Sequence, residues 1–128
     1  KNSQTEYNFE RKADAVIINI GTNDYNQREK LGLDANKFAS IYEEFLRTVR
    51  EKNGKDCKII LVFNVMNDTF AGAINLAFKR VGGEDADYYL FKAERTTHER
   101  GNSHPSINEN KKYAEKIGDF IKEVLEIQ

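Results

Sequence analysis

A single cysteine, a single proline and a single methionine occur in these 128 residues, together with two histidines and no tryptophan. Cys57 alone cannot close an internal disulfide, and its place between Asp56 and Lys58 is compatible with any redox compartment. An excess of one charge is lacking as well. Twenty Lys and Arg stand against 21 Asp and Glu, so the electrostatic grip that holds a polyanion is absent and no nucleic-acid partner is expected. No apolar run approaches the roughly 20 residues of a membrane span, and the stretch from Lys1 to Glu6 has no signal-peptide core. The chain is therefore expected to be soluble, without a membrane partner. Lys1 is not an initiator residue, which leads to the expectation of a processed, excised or truncated piece.

What is present is an alternation of apolar runs and helical patterns. The length suits one domain over residues 1–128, with residues 1–12 a polar lead-in and no repeat or linker. Ala15 to Ile20 is a continuous, β-branched run too short for a helix, and reads as a strand buried on both faces, as in parallel sheets. Gly21 to Gly32 reads as a loop. Asp34 is a suitable N-cap for a helix whose apolar positions are Phe38, Ile41, Tyr42, Phe45, Leu46 and Val49, ending at Asn53-Gly54. Lys58 to Val65 is a second strand. Asp68 or Thr69 caps a helix with the stripe Phe70, Ala73, Ile74, Ala77, Phe78 and Val81, stopped by Gly82-Gly83. Asp87 to Phe91 is a third strand candidate, and Lys92 to Ser103 a charged loop. Ser106-Ile107-Asn108-Glu109 has the pattern of a capping box, opening a helix with Ile107, Asn110, Ala114, Ile117, Ile121 and Val124 on one face. The order βαβαβα predicts an α/β fold with parallel strands and right-handed crossovers. Phe38, Phe45, Phe70 and Phe78 are expected in its core.

In an open parallel sheet, ligands bind beyond the carboxyl ends of the strands. Asn23 follows the first strand, Asn64 and Asn67 end or follow the second, and His104 follows the third through its loop, so these groups can converge. A fixed amide N–H donor suits the developing oxyanion of ester hydrolysis. An imidazole suits the proton transfer from a serine hydroxyl to the leaving alcohol. Each motif also has a plainer reading. Gly-x-Asn-Asp after a strand is a common turn, and His-Pro ahead of a capped helix restricts the chain at the helix start. His98 and His104, with Glu94 and Glu99 nearby, have no ligand spacing and no cysteine beside them, so neither a metal nor any other cofactor is expected.

The apolar strand followed by Gly21-Thr22-Asn23-Asp24-Tyr25, together with Ser103-His104-Pro105-Ser106, resembles the third and fifth blocks of the SGNH (GDSL-type) hydrolases. The likeness is greatest to the acetylesterases of carbohydrate esterase family two. That resemblance implies a three-layer, flavodoxin-like parallel sheet and the C-terminal portion of one SGNH-type domain, with Gly21, Asn23 and His104 at catalytic positions, Asn23 donating to the oxyanion and His104 acting as general base. It further implies Asp24, Tyr25 and Asn64 at the substrate cleft, an acetylated carbohydrate as substrate, and an extracellular or cell-surface location. Two departures stand out. No serine lies in a Gly-Asp-Ser context, so the nucleophile is expected elsewhere. The position three before His104, usually Asp, is Gly101; the orienting group is then Glu99 or a backbone carbonyl of Asn102 or Ser103. The expected activity is carbohydrate O-acetyl ester hydrolysis in the intact domain, with this chain alone inactive. The alternative is a non-catalytic carbohydrate-binding or interaction module that kept the fold and lost the reaction. The missing N-terminal half, or a second copy, is expected to pair with the unblunted Ala15 to Ile20 strand edge.

Overall fold

A computed structural model describes residues 8–63, 70–94 and 104–127. Three parallel strands, β1 (Ala15–Ile18), β2 (Lys58–Phe63) and β3 (Tyr88–Lys92), lie in the order β1-β2-β3. Ala15 is in register with Lys58, and Ile59 with Tyr88. Between β1 and β2 run two short helices, α1 (Thr22–Asn26) and α2 (Arg28–Leu31), and the long α3 (Ala35–Asn53). Helix α4 (Ala71–Arg80) and a 3-10 turn (Gly83–Ala86) precede β3, and α5 (Ile107–Leu125) closes the described chain.

β2 explains the layering. Ile59, Ile60, Leu61 and Val62 are essentially inaccessible, because alternate side chains of one strand enter two separate cores. Ile59, Leu61 and Phe63 pack with Ile18, Tyr88, and the Phe38, Tyr42, Leu46, Ile74 and Ala77 stripe of α3 and α4. Ile60 and Val62 face the other way, onto Val124, Ile117, Phe120, Ile121 and Tyr113 of α5. There Phe91 meets the Tyr113 ring edge-on at 6.0 Å and the Phe120 ring at 5.2 Å. The result is a sheet between two helical layers, the α/β arrangement that the alternation predicts.

Several boundaries and faces differ from the sequence expectation. β1 stops at Ile18 rather than Ile20, and it is not buried on both faces: Ile17 is 47% exposed. No β1 side chain belongs to the core that β2 and β3 form with α5. β3 runs Tyr88–Lys92, one residue later than expected, because Asp87 adopts φ 58 and ends the 3-10 turn. The Gly21 to Gly32 loop contains α1 and α2, too short to show a 3.6-residue period. Phe45 is 43% exposed rather than core. On α5 the apolar face begins later than expected: Ile107 is 76% exposed, and Asn110 and Ala114 are also at the surface, while Tyr113 and Phe120 join the packing. The α5 side chains in the core with the sheet begin at Tyr113, so the turns ahead of it have no apolar surface to cover. Helix α4 begins after Phe70; the expected caps Asp68 and Thr69, and the expected strand end at Asn64 and Val65, lie outside the described residues. Asp34 caps α3, its side chain accepting from the Lys37 N–H at 2.8 Å.

The amino edge of the sheet is tied by Arg50. Its guanidinium donates to the carbonyls of Gly54, Lys55 and Cys57 ahead of β2, and to those of Ala86 and Asp87 ahead of β3, at 2.5 to 3.2 Å. It also lies 4.8 Å from the centre of the Tyr88 ring. Beside it Lys58 Nζ donates to Asp87 Oδ1 at 2.6 Å, and the Tyr89 hydroxyl donates to the same oxygen at 3.1 Å.

Two outcomes follow for stability. Arg50→Met keeps much of the stem but strands carbonyls that it now satisfies, and should cost about 2–4 kcal/mol in urea unfolding. A loss below about 0.5 kcal/mol, within the range of an ordinary surface substitution, would mean that water replaces the guanidinium. The hydrogen bond from Lys58 holds the Asp87 carboxyl below the usual carboxylate range, and the same bond raises Lys58. Stability from Asp87 is thus present above its ordinary value and lost as pH falls through the lowered one; that from Lys58 is lost as pH rises through its raised value. Asp87→Asn, which tolerates positive φ, should lower Tm between about pH 5 and pH 9, with the deficit vanishing near pH 2. A deficit independent of pH would assign the effect to packing.

Candidate active site

The carboxyl ends of the three strands share one edge of the sheet, because all the pairings are parallel. Beyond β1 the chain passes Asn19 and Ile20 and turns at Gly21, whose φ of 112 and ψ of −23 are accessible chiefly to glycine. A Cβ there would sit 3.3 Å from Phe38 Cζ. The Gly21 carbonyl accepts from the Tyr25 N–H at 2.9 Å, which starts α1. Asn23 is the second residue of that helix, and its side chain faces solvent. Asp24, half-buried in the first turn, complements the positive end of the helix.

Tyr25 anchors this segment. Its ring meets Phe70 edge-on at 5.3 Å, and Phe70 stacks on Phe38 at 4.1 Å. Arg28 lies 4.1 Å above the Tyr25 ring and donates to the Tyr25 carbonyl at 3.0 Å. The turn carrying Asn23 is therefore fastened to the core two residues further on. Asn19, Ile20, Gly21 and Thr22 also border, with Phe63 and Phe70, a recess of about 10 Å³, room for one water. Asn19 and Thr22 were not among the sequence candidates; their position immediately around Gly21 in the same motif is the signal that marks them.

At the far side of this edge the ladder continues past β3, the Ala93 N–H donating to the Phe63 carbonyl at 2.9 Å. Glu94 pairs with Lys116 of α5, and that hydrogen bond holds its carboxyl below the ordinary range. His104 is exposed, two residues ahead of the Ser106 cap. The capping box is complete: Ser106 Oγ accepts from the Glu109 N–H at 3.2 Å, and the Ser106 N–H donates to Glu109 Oε2 at 2.7 Å. Ser106 is thus occupied as a cap.

Gly21, Asn23, Asp24 and Tyr25 thus stand together on one turn and helix, with His104 at the start of α5 beyond β3. No hydrogen bond among the described residues joins Asn23 or Asp24 to His104. Asn64, Asn67, His98, Glu99, Asn102 and Ser103 lie outside the described residues. Among the described residues no three of His, Cys, Asp and Glu gather as a metal-binding group, and no helix is long and apolar enough to cross a membrane. Cys57 is buried at the opposite edge, and burial pushes its thiol up, away from the reactive thiolate.

The fold is similar to that of two solved esterases. One is a family two carbohydrate esterase from Cellvibrio japonicus, with a TM-score of 0.73 and 16% identity over 88% of this chain and 33% of that one. The other is an acetyl xylan esterase from the rumen bacterium Butyrivibrio proteoclasticus, with a TM-score of 0.74 and 23% identity over 95% of this chain and 40% of that one. The chain therefore spans well under half the length of either. No family model and no curated protein matches the sequence. The α/β fold that the Gly21 to Tyr25 motif led us to expect is the fold of these esterases.

Gly21→Ala should destabilise the protein by about 1–3 kcal/mol, through an unfavourable φ and the contact with Phe38. Chemical denaturation measures this, and an unchanged midpoint would show that the turn relaxes without strain.

Proposed function

We propose that this chain is the part of a carbohydrate O-acetylesterase that supplies the oxyanion donor Asn23 and the general base His104, with the serine nucleophile on a segment outside these residues. The reading is supported by a glycine-dependent turn after β1, a histidine two residues ahead of the α5 cap, and a sheet whose fold carbohydrate esterases share.

In this reading the serine Oγ attacks the acetyl carbonyl carbon while the His104 imidazole takes the hydroxyl proton. The Asn23 side-chain N–H donates to the carbonyl oxygen as it becomes an oxyanion. His104 then returns the proton to the departing sugar hydroxyl, leaving an acetyl-serine that water hydrolyses to acetate by the same route. Gly21 shapes the turn, and Tyr25 fixes α1 through Phe70, so that Asn23 sits on a braced element. Asp24 and Asn64 are the polar groups proposed at the substrate cleft. Glu99, or the backbone at Ser103, is proposed to orient the imidazole. The likeness to a carbohydrate esterase and an acetyl xylan esterase is the basis for proposing an extracellular or cell-surface setting.

The 128-residue chain alone should not hydrolyse 4-nitrophenyl acetate above the buffer rate, since an oxyanion donor and a base do not replace covalent attack. In a longer polypeptide that joins it to a Gly-Asp-Ser segment, Asn23→Ala should lower kcat by about 10²- to 10³-fold, and His104→Ala by as much or more. Full activity in either variant removes that residue from the mechanism. Sugar binding without hydrolysis in the unmutated longer polypeptide would favour a non-catalytic module.

A further inference from the structure

Helix α1 has little of its own to hold it. It is five residues long, none of its side chains is buried, and no side chain caps its start; so short a helix is marginal without outside support. Gln27 alone separates α1 from α2, and its φ of −103 and ψ of 7 set the angle between them. Asn23 lies one turn ahead of this joint, its carbonyl accepting from the Gln27 N–H at 3.0 Å. The direction of the Asn23 amide is therefore set by whatever fixes α1 at both of its ends.

At the start, Gly21 lies against Phe38, and its carbonyl accepts from the Tyr25 N–H. In the middle, Tyr25 meets Phe70, which stacks on Phe38. These contacts close a circuit through the core, but none of them reaches across the joint. Arg28 does. It is the first residue of α2, yet its Nη1 donates to the Tyr25 carbonyl at 3.0 Å and its guanidinium carbon stands 4.1 Å from the centre of the Tyr25 ring. One side chain of α2 thus grips both the backbone and the ring of one residue of α1. A flat cation with several fixed donors can do both at once, whereas an ammonium is a single point charge on a flexible stem. The pair of Arg28 with the exposed Glu29, at 3.6 Å, is screened by water and adds little.

We propose that Arg28 is a positioning residue for the oxyanion donor. By clamping Tyr25 across the Gln27 joint it holds α1, and with it the Asn23 amide, in the orientation that meets the developing charge. The inference rests on the reading of Asn23 as that donor, and adds a residue that touches neither substrate nor reacting atoms. The guanidinium also covers one face of the Tyr25 ring, so Tyr25 serves α1 as a support rather than the substrate as a platform. An oxyanion donor acts by being fixed before the charge develops, and a displacement of about 1 Å can cost about 10²-fold in rate. Loss of the clamp therefore shows in kcat and leaves KM in place.

In the longer polypeptide that carries the serine, Arg28→Met should lower kcat by about 10- to 100-fold while KM changes by less than about threefold. Arg28→Lys keeps a charge over the ring and should recover part of that loss, and Glu29→Gln should match the parent. In an Asn23→Ala background Arg28→Met should cost less than about twofold more, since no amide is left to aim. In the 128-residue chain Arg28→Met should speed exchange of the Tyr25 and Gln27 amides at least about tenfold, with Tm moving by less than about 2 °C. Parental kcat in Arg28→Met, a raised KM with kcat intact, an equal loss with and without Asn23, or unchanged amide exchange would each overturn the inference. If Arg28→Met does not fold, Arg28→Lys is judged by the same measurements. Full activity in Asn23→Ala overturns the donor reading and this inference with it, whereas a costly Asn23→Ala beside a harmless Arg28→Met overturns this inference alone.

Discussion

The architecture depends on one side chain at the end of the sheet away from the candidate site. Arg50 gathers carbonyls from the segment entering β2 and from the segment entering β3. A planar guanidinium with several fixed donors suits this, and an ammonium on a flexible stem does not. By holding both lead-ins it favours one relative stagger of two parallel strands whose side chains, Lys58, the two tyrosines and Lys92 apart, are apolar. A slip by one residue would exchange the sets facing α3 and α5. The stagger at the amino edge also sets which residues emerge at the carboxyl edge, where Phe63, Ala93 and the turn at Gly21 meet.

The two edges of the sheet divide the work. The amino edge is rich in closed, mutually satisfied polar contacts: Arg50 with its carbonyls, and Lys58 with Asp87 and Tyr89. The carboxyl edge presents small groups and open donors: Gly21, Thr22, Asn23 and, further on, His104. The positive φ of the Gly21 turn needs a rigid support. The Tyr25, Phe70 and Phe38 ring cluster supplies that support from the same core that buries α3 and α4.

The surface at β1 has a different character from the rest. Toward α4 the surface of α3 is polar, and Glu43, Arg47 and Arg80 knit the two helices together. At β1 the backbone groups and apolar side chains that would complete a layer are present, without a neighbour among the described residues.

The sequence by itself determined the layered α/β plan, the two long helices with their Asp34 and Ser106 caps, and the motif around Asn23. These are legible because period, capping and turn chemistry act within a few residues of one another. It did not reveal α1 and α2, which at five and four residues are too short to repeat a helical pattern. Nor did it distinguish Phe38 from Phe45, both apolar on the same helix; only the positions of α4 and β1 decide which of them is covered. Ile107 and Ile117 differ for the same reason, one beyond the sheet and the other over it. Tertiary structure alone assigned Arg50 its role, since a lone arginine near a helix end carries no local sign of the carbonyls of Ala86 and Asp87, far along the chain. Burial and long-range hydrogen bonding are properties of neighbours, and neighbours exist only once the chain has folded.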